Sequence, residues 1–246
     1  MRNLNGKIAL VTGGNSGIGY AAAKELKAQG AQVIITGRRA EALMQAAAKL
    51  GVTGLLSDQG QVADIEELAA KISEQYGRID ILFINAGVLG GSSIEGAAES
   101  DFDYVMDVNF KGAYFTLSRF IPVLSDGASV VFLSSNTASM NGANSSIYSS
   151  SKAALNSVMK IAALELAPRG IRVNAISPGP TQTEILNKLG LDEASRKGLD
   201  DWMIGRIPLR KIGSADDVAK MVAYLCSAAS GFITGSDIII DGGMSL

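Results

Sequence analysis

Short apolar runs alternate with longer amphipathic segments along the chain. The runs are rich in β-branched residues and end at glycine or polar residues, which is typical of buried strands. We predict seven strands, at Ile8–Thr12, Gln32–Thr36, Thr53–Leu56, Ile81–Ile84, Ser129–Leu133, Arg172–Ile176 and Asp237–Ile240. Helical periodicity between them predicts six helices, at Ile18–Gln29, Ala40–Leu50, Ile65–Tyr76, Phe102–Leu124, Ile147–Ala167 and Ala215–Ser227.

This alternation of strands and helices predicts an α/β fold. Strands that are apolar throughout must be covered on both faces, so helices should flank both sides of a parallel sheet. We expect a single doubly wound, Rossmann-type domain over residues 1–246 with a seven-stranded parallel sheet. The mixed segment Thr183–Gly213 does not fit the alternation, and we interpret it as an insertion that forms a substrate loop.

Composition narrows the chemistry mainly through two scarce residues. The sequence has no histidine and one cysteine, Cys226, which excludes Ser-His-Asp and Cys-His catalysis, His-based zinc sites and an intrachain disulfide. The net charge of −2 does not indicate a basic face that would bind nucleic acid. The sequence lacks a signal-peptide pattern and a long apolar run, so we expect a cytoplasmic protein that binds no nucleic acid, membrane or metal.

A glycine-rich stretch, TGGNSGIG at Thr12–Gly19, follows the first predicted strand. Ligands of doubly wound sheets bind beyond the carboxyl ends of the strands, and the free N–H groups of a helix start favour an anion. We interpret the stretch as a dinucleotide pyrophosphate site. Its spacing, Gly13-xxx-Gly17-x-Gly19, differs from the usual G-x-G-x-x-G, and an ordinary glycine turn is the alternative.

The second predicted strand ends in Thr36-Gly37-Arg38-Arg39. An NAD site usually has a carboxylate here that binds the ribose hydroxyls, whereas a guanidinium can bind a 2′-phosphate. The residues therefore predict a preference for NADP(H) over NAD(H), with Arg38 as the main phosphate ligand and Arg39 stacking or facing water. Solvated arginines at a helix start are the alternative.

A second motif, YSSSK at Tyr148–Lys152, lies in a predicted helix, where Tyr148 and Lys152 share one face. A nearby ammonium lowers the pKa of a phenol, so this pair is the most economical proton-transfer device in a chain without histidine. Ser135 ends the fifth predicted strand at the ligand edge, where its hydroxyl could hold a carbonyl oxygen. Asn85–Gly87 and Pro178–Gly179 end two more strands at the same edge.

Together these motifs resemble the short-chain dehydrogenase/reductase family from about residue 4 to the C-terminus. The resemblance rests on TGGNSGIG, Asp58, Asn85–Gly87, Asn109, Ser135, YSSSK and PGPTQT at Pro178–Thr183. It implies a reversible, NADPH-dependent carbonyl reductase that acts on a small-molecule carbonyl or alcohol, and a homotetramer. The helix Ile147–Ala167 is apolar nearly all round, which also favours a second subunit as its cover.

The resemblance also implies a role for each site residue. Tyr148 would protonate the carbonyl oxygen, Lys152 would lower the Tyr148 pKa and bind the nicotinamide ribose, and Ser135 would position the carbonyl. Asn109 would interrupt its helix and hold a water that relays protons to Lys152. The other cofactor contacts would be Gly13, Asn15, Ser16, Gly17, Ile18, Gly19, Asp58, Gln59, Asn85, Gly87, Pro178, Gly179, Thr181 and Thr183.

Three positions depart from patterns common in the family. Ser16 stands where NADP-preferring members often have a basic residue, and Gln59 stands where an aliphatic residue often follows the aspartate. Phe115 stands where acyl-carrier reductases often have a base, which favours free ketones or aldehydes. Met140 and Met203 are weaker candidates for the pocket lining. A glucose-type sugar dehydrogenase, a 3-oxoacyl-thioester reductase and a catalytically silent NADP-binding sensor remain alternatives.

Overall fold

The computed structural model of the protein describes residues 4–140, 142–183 and 192–246. Its strands are β1 Ile8–Val11, β2 Gln32–Gly37, β3 Thr53–Leu56, β4 Ile79–Ile84, β5 Leu124–Leu133, β6 Arg172–Pro178, β7 Thr181–Gln182, β8 Gly213–Ser214 and β9 Asp237–Ile240. Within these residues, seven strands form one sheet in the order β3-β2-β1-β4-β5-β6-β9. Every pairing in it is parallel, which confirms the predicted sheet.

Helices cover both faces of the sheet. They are α1 Gly17–Ala28, α2 Ala40–Leu50, α3 Val62–Tyr76, α4 Glu99–Met106, α5 Gly112–Phe120, α6 Ser146–Leu166, α7 Glu193–Arg206 and α8 Ala215–Cys226. Two apolar clusters fill the layers. One packs α3, α5 and α6 against the sheet, and the other packs α1, α2 and α8 against its opposite face. Leu10 and Val11 of β1 belong to different clusters because adjacent strand residues point to opposite faces.

The predicted helix Phe102–Leu124 is wrong as a continuous element. A π-helical turn at Asp107–Lys111 separates α4 from α5, and a short turn at Ile121–Val123 ends the helical region. Pro122 in that turn has no N–H to continue a helix. Strand β5 then starts at Leu124, five residues before the predicted start. The prediction missed its first half because that half contains polar residues and a shift in register.

The two ends of the predicted insertion, Thr183–Gly213, lie next to each other. The short strands β7 and β8, which flank it, pair with each other through Thr181 and Gly213. Residues 184–191 of the insertion lie outside the described part of the chain. Helix α7 fills most of the rest and is capped by Asp192, whose side chain accepts from the Ser195 N–H at 2.8 Å. Its role as a substrate loop stays a prediction.

No helix among the described residues combines the length and the apolar character needed to cross a bilayer.

Candidate active site

A single cleft of about 500 Å³ lies at the carboxyl end of the sheet and brings most of the predicted site residues together. Its walls come from the loops that follow β1, β2, β3, β4, β5 and β6. The volume falls in the range of small-molecule and cofactor sites. Of the predicted catalytic and cofactor-binding residues, only Gly19 and Asn109 do not line it.

The loop after β1 forms one wall and presents unpaired backbone donors. Gly13 and Gly17 adopt positive φ angles of 64° and 56°, a conformation that favours glycine. Ser16, the N-cap of α1, makes no side-chain cap, and the first turn of α1 holds no acidic residue. The N–H groups of this turn are therefore available to an anion, as a pyrophosphate site requires.

Gly19 was predicted to contact the cofactor; it does not line the cleft, and the contact stays a prediction. A Cβ at this position would collide with the Gly13 carbonyl oxygen and lie 2.5 Å from Asn85 Nδ2. Glycine is needed here so that α1 can approach the loop that holds the anion site. Gly19 therefore packs closely behind Gly13 and Asn85, which line the cleft.

Asn85 and Thr12 hold this loop in place. The Asn85 Nδ2 donates to the carbonyl oxygens of Thr12 and Gly13 at 2.8 and 3.1 Å. In return, the Thr12 hydroxyl accepts from the N–H groups of Asn85 and Ala86, both at 3.0 Å. Asn85 lines the cleft, but its amide N–H groups are used inside the protein. Thr12 is a supporting residue that we did not predict, although it belongs to the glycine motif.

Arg38, Arg39 and Asp58 line the part of the cleft where the sequence predicts the adenosine of the cofactor. The Asp58 Oδ1 accepts from the Gly60 N–H at 2.9 Å, and the Asp58 N–H donates to Asp64 Oδ2 at 2.9 Å, so the turn after β3 is fixed. Arg38 is half exposed, and its guanidinium lies 4.0 Å from Asp58 Oδ2. Arg39 is exposed at the start of α2.

Gln59, the departure from the aliphatic pattern, braces two loops of the cleft. Its Nε2 donates to the Ala86 carbonyl at 2.9 Å and to the Val108 carbonyl at 3.1 Å. Val108 lies in the π-helical turn, so Gln59 connects that turn to the loop after β4. The amide nitrogen is thus engaged with protein carbonyls, and Gln59 Oε1 is buried without a partner among the described residues.

Tyr148, Lys152 and Ser135 meet at the other end of the cleft. Tyr148 stands in the first turn of α6 and Lys152 one turn later, so both point toward the end of β5. The Lys152 Nζ donates to the Leu133 carbonyl at 2.8 Å and lies 5.8 Å from the centre of the Tyr148 ring. These three side chains surround the space in which a carbonyl group would react.

Burial controls the protonation of this group. Burial raises the pKa of the Tyr148 phenol, and a hydrogen bond with Ser135 offsets only part of that effect. Burial also lowers the pKa of Lys152 to about 8. The expectation that Lys152 lowers the Tyr148 pKa stays a prediction, because the shift here comes from burial and from the hydrogen bond with Ser135. The phenol consequently keeps its proton at neutral pH, as a proton donor must.

Asn109 is fully buried in the π-helical turn, and its side chain bonds the backbone of Val88. Its Oδ1 accepts from the Val88 N–H at 2.8 Å, and its Nδ2 donates to the Val88 carbonyl at 2.9 Å. The expected interruption of the helix at Asn109 is confirmed. Asn109 is therefore a positioning residue for the cleft wall, and the water relay stays a prediction.

Thr137 is a neighbour of Ser135 that we did not predict. Its N–H and its Oγ1 both donate to Ser135 Oγ, at 3.2 and 2.9 Å. A serine hydroxyl has two lone pairs and one proton, so these two bonds leave Ser135 to act as a donor. The spacing of two residues between a serine and a threonine in a turn was the available signal in the sequence.

Thr137→Val is expected to lower kcat about 5-fold without changing the KM for the cofactor. The substitution removes one hydrogen bond of about 1 kcal/mol that orients the Ser135 proton. Steady-state kinetics would measure the effect, with Ser139→Ala as the control. Ser139 lies at the end of the same turn and bonds only the Asn136 carbonyl. A Thr137→Val enzyme with unchanged kcat would contradict the orienting role.

Four of the apolar side chains that line the cleft come from the loops after β4 and β5 and from the segment after β9. They are Val88, Leu89, Met140 and Met244. Met140 was a candidate for this lining and belongs to it. Met203 was the other candidate and does not line the cleft; it is a buried residue of α7. Met244 reaches the cleft from the segment after β9, a placement that no local pattern in the sequence indicates.

Comparison with known proteins agrees with this geometry. The family model described as "Enoyl-(Acyl carrier protein) reductase" matches residues 13–245. Human "Dehydrogenase/reductase SDR family member 4" is 35% identical over 98% of this chain and 88% of that protein. The "Tropinone reductase homolog" of Datura stramonium is 33% identical over 99% of this chain and 94% of that protein.

A solved structure with a bound cofactor is also similar. The short-chain dehydrogenase from Burkholderia cenocepacia J2315 in complex with NADP superposes with a TM-score of 0.90. It is 32% identical and covers 99% of this chain and 100% of that chain. The present chain therefore belongs to the short-chain dehydrogenase/reductase family of nicotinamide-dependent oxidoreductases.

Proposed function

We propose that the protein transfers a hydride between NADP(H) and a neutral ketone or secondary alcohol. The observation that carries this proposal is the convergence of Ser135, Tyr148 and Lys152 at one end of a cleft that has Arg38 at its other end. The unpaired N–H groups at the start of α1 lie between them, where a pyrophosphate would bind. These residues fit an extended dinucleotide.

The side chains around the reacting carbonyl divide the chemistry of reduction. When bound, the nicotinamide supplies the hydride, which adds to the carbonyl carbon. Ser135 donates a hydrogen bond to the carbonyl oxygen, and Tyr148 transfers its phenolic proton to the same oxygen. Oxidation of the alcohol reverses both transfers. The buried Lys152 ammonium would stabilise the phenolate left after proton transfer and bind the nicotinamide ribose.

A neutral substrate is favoured by the charge distribution in the cleft. Among its described lining residues, the charged side chains are Arg38, Arg39, Asp58 and Lys152. The first three lie at the adenosine end, and Lys152 is part of the proton-transfer group. The apolar residues of the described lining offer no ion pair to a carboxylate or phosphate, so a charged substrate would lose hydration without compensation. The Datura stramonium relative, named as a tropinone reductase homolog, supports a ketone reductase.

Arg38→Ala is expected to raise the KM for NADPH by about 10- to 100-fold and to change the KM for NADH little. Charge-assisted hydrogen bonds to a phosphate contribute about 1.5–3 kcal/mol, and NADH has no 2′-phosphate to lose them. Initial rates with each cofactor would measure both constants. Arg39→Ala is the matched control, since Arg39 is also an exposed arginine and directly follows Arg38 in the sequence. Equal changes for the two cofactors would contradict the role of Arg38.

We also propose that the protein is a homotetramer and that it is located in the cytoplasm. Helices α5 and α6 expose Tyr114, Ile161 and Leu164, the last with 78% of its surface accessible. Exposed apolar side chains on two neighbouring helices are typical of a subunit interface. They support an oligomer in which copies of this chain cover α5 and α6.

A further inference from the structure

Tyr104, on α4, contacts the arginine that we assign to the 2′-phosphate. The Arg38 Nη2 donates to the Tyr104 hydroxyl at 2.8 Å. The centre of the guanidinium also lies 5.7 Å from the centre of the Tyr104 ring. Tyr104 lies 66 residues beyond Arg38 in the sequence, and no motif of the chain indicates that the two should meet.

We propose that Tyr104 is a specificity-determining residue for the 2′-phosphate of NADP(H), an inference that rests on the proposed function. Its hydroxyl oxygen accepts from Arg38, and its own proton remains to be donated. A phosphate bound to Arg38 offers acceptor oxygens next to this hydroxyl. Tyr104 would therefore position the guanidinium and donate a hydrogen bond of its own.

The neutral character of Tyr104 distinguishes it from the other group near Arg38. Asp58 Oδ2 lies 4.0 Å from Arg38 Nη1 and brings a negative charge to the site. A carboxylate that held Arg38 would oppose the approach of a phosphate dianion, whereas a phenol fixes the side chain and leaves its positive charge in place. Tyr104 thus restrains Arg38 without reducing its attraction for phosphate.

Restraint matters because Arg38 is half exposed and has many rotamers. The exposed fraction of its side chain is 49%. A flexible arginine loses conformational entropy when it binds a ligand, and a contact that orders it beforehand increases affinity. The planar guanidinium uses Nη2 toward Tyr104, so its remaining N–H groups are available to phosphate oxygens.

The test compares binding of adenosine 2′,5′-bisphosphate and adenosine 5′-monophosphate by isothermal titration calorimetry. These probes share the adenosine and 5′-phosphate and differ in the 2′-phosphate. We expect the wild type to prefer the bisphosphate. Tyr104→Phe should weaken bisphosphate binding about 5- to 10-fold, as expected for one lost hydrogen bond, and leave the monophosphate within about 2-fold. Tyr224→Phe is the control, because Tyr224 is a similarly exposed tyrosine on α8.

Each other outcome counts against a defined statement. A Tyr104→Phe protein that keeps the wild-type preference for the bisphosphate would overturn the role of Tyr104 and leave the NADP(H) proposal intact. Equal weakening of both probes would also overturn it, since the 2′-phosphate would not be involved. A wild type that binds both probes equally would overturn the NADP(H) preference and, with it, the role of Tyr104.

Discussion

Tyr148→Phe is expected to lower kcat by about 10³-fold and to leave NADPH binding within about 2-fold of the wild type. Loss of a positioned general acid costs about 10²–10⁴ in rate, and this chain has no histidine to replace it. Phenylalanine fills the same space, so the walls of the cleft should not move. Stopped-flow or steady-state rates of NADPH oxidation, beside a fluorescence titration of NADPH, would measure both quantities.

Two controls make the Tyr148 result specific. Tyr224→Phe removes an exposed phenol on α8 that does not line the cleft and should keep the wild-type rate. Ser135→Ala should also reduce kcat, because Ser135 binds the same oxygen that Tyr148 protonates. If Tyr148→Phe retained more than about a tenth of the wild-type kcat, a different proton donor would be required and the assignment would be wrong.

Lys152→Met is expected to abolish most turnover and to make the protein more stable at pH 7. Turnover should fall about 100-fold or more, because the phenolate and the ribose lose the ammonium. The pKa of Lys152 is about 8 in the folded protein, below its ordinary value of 10.5. The unfolded chain thus holds this proton more strongly, and the difference corresponds to about 3 kcal/mol against folding below pH 8.

The pH dependence separates this explanation from a simple packing effect. The cost of the Lys152 charge is complete below pH 8, declines as the pH rises toward 10.5, and is absent above it. Urea unfolding of both proteins should therefore show a gain of about 1–3 kcal/mol for Lys152→Met at pH 7 and a smaller gain at pH 9.5. A variant less stable than the wild type at pH 7 would show that the bond to the Leu133 carbonyl outweighs the burial of the charge.

The fold was predictable because buried parallel strands are apolar along their whole length. This property marks β1, β2 and β4 clearly in the sequence. The first half of β5 contains Ser125 and Asp126, and its register shifts there, so periodicity did not detect it. A π-helical turn also leaves no signature in hydrophobic spacing. Only the resemblance to the family indicated an interruption at Asn109.

The candidate site was predictable where its residues belong to contiguous motifs. Tyr148, Lys152 and Ser135 follow from the helix spacing and from the strand that carries the serine. The close packing at Gly19 was not predicted, because sequence alone cannot separate a glycine that meets a ligand from one that lets two backbones approach. Tyr104 reaches Arg38, and Met244 reaches the cleft, from distant segments, and only tertiary packing brings them there.

The most direct test of the proposed function is the initial rate of cofactor oxidation over a panel of carbonyl compounds, with NADPH and NADH in parallel. The panel should contain neutral ketones, sugars, 2-oxo acids, and 3-oxoacyl and 2-enoyl thioesters, each with Tyr148→Phe as the blank. We predict turnover of neutral ketones with NADPH, at a kcat/KM at least about 10-fold above that with NADH. Binding of NADPH without turnover of any compound, or turnover restricted to charged or enoyl substrates, would contradict the proposed function.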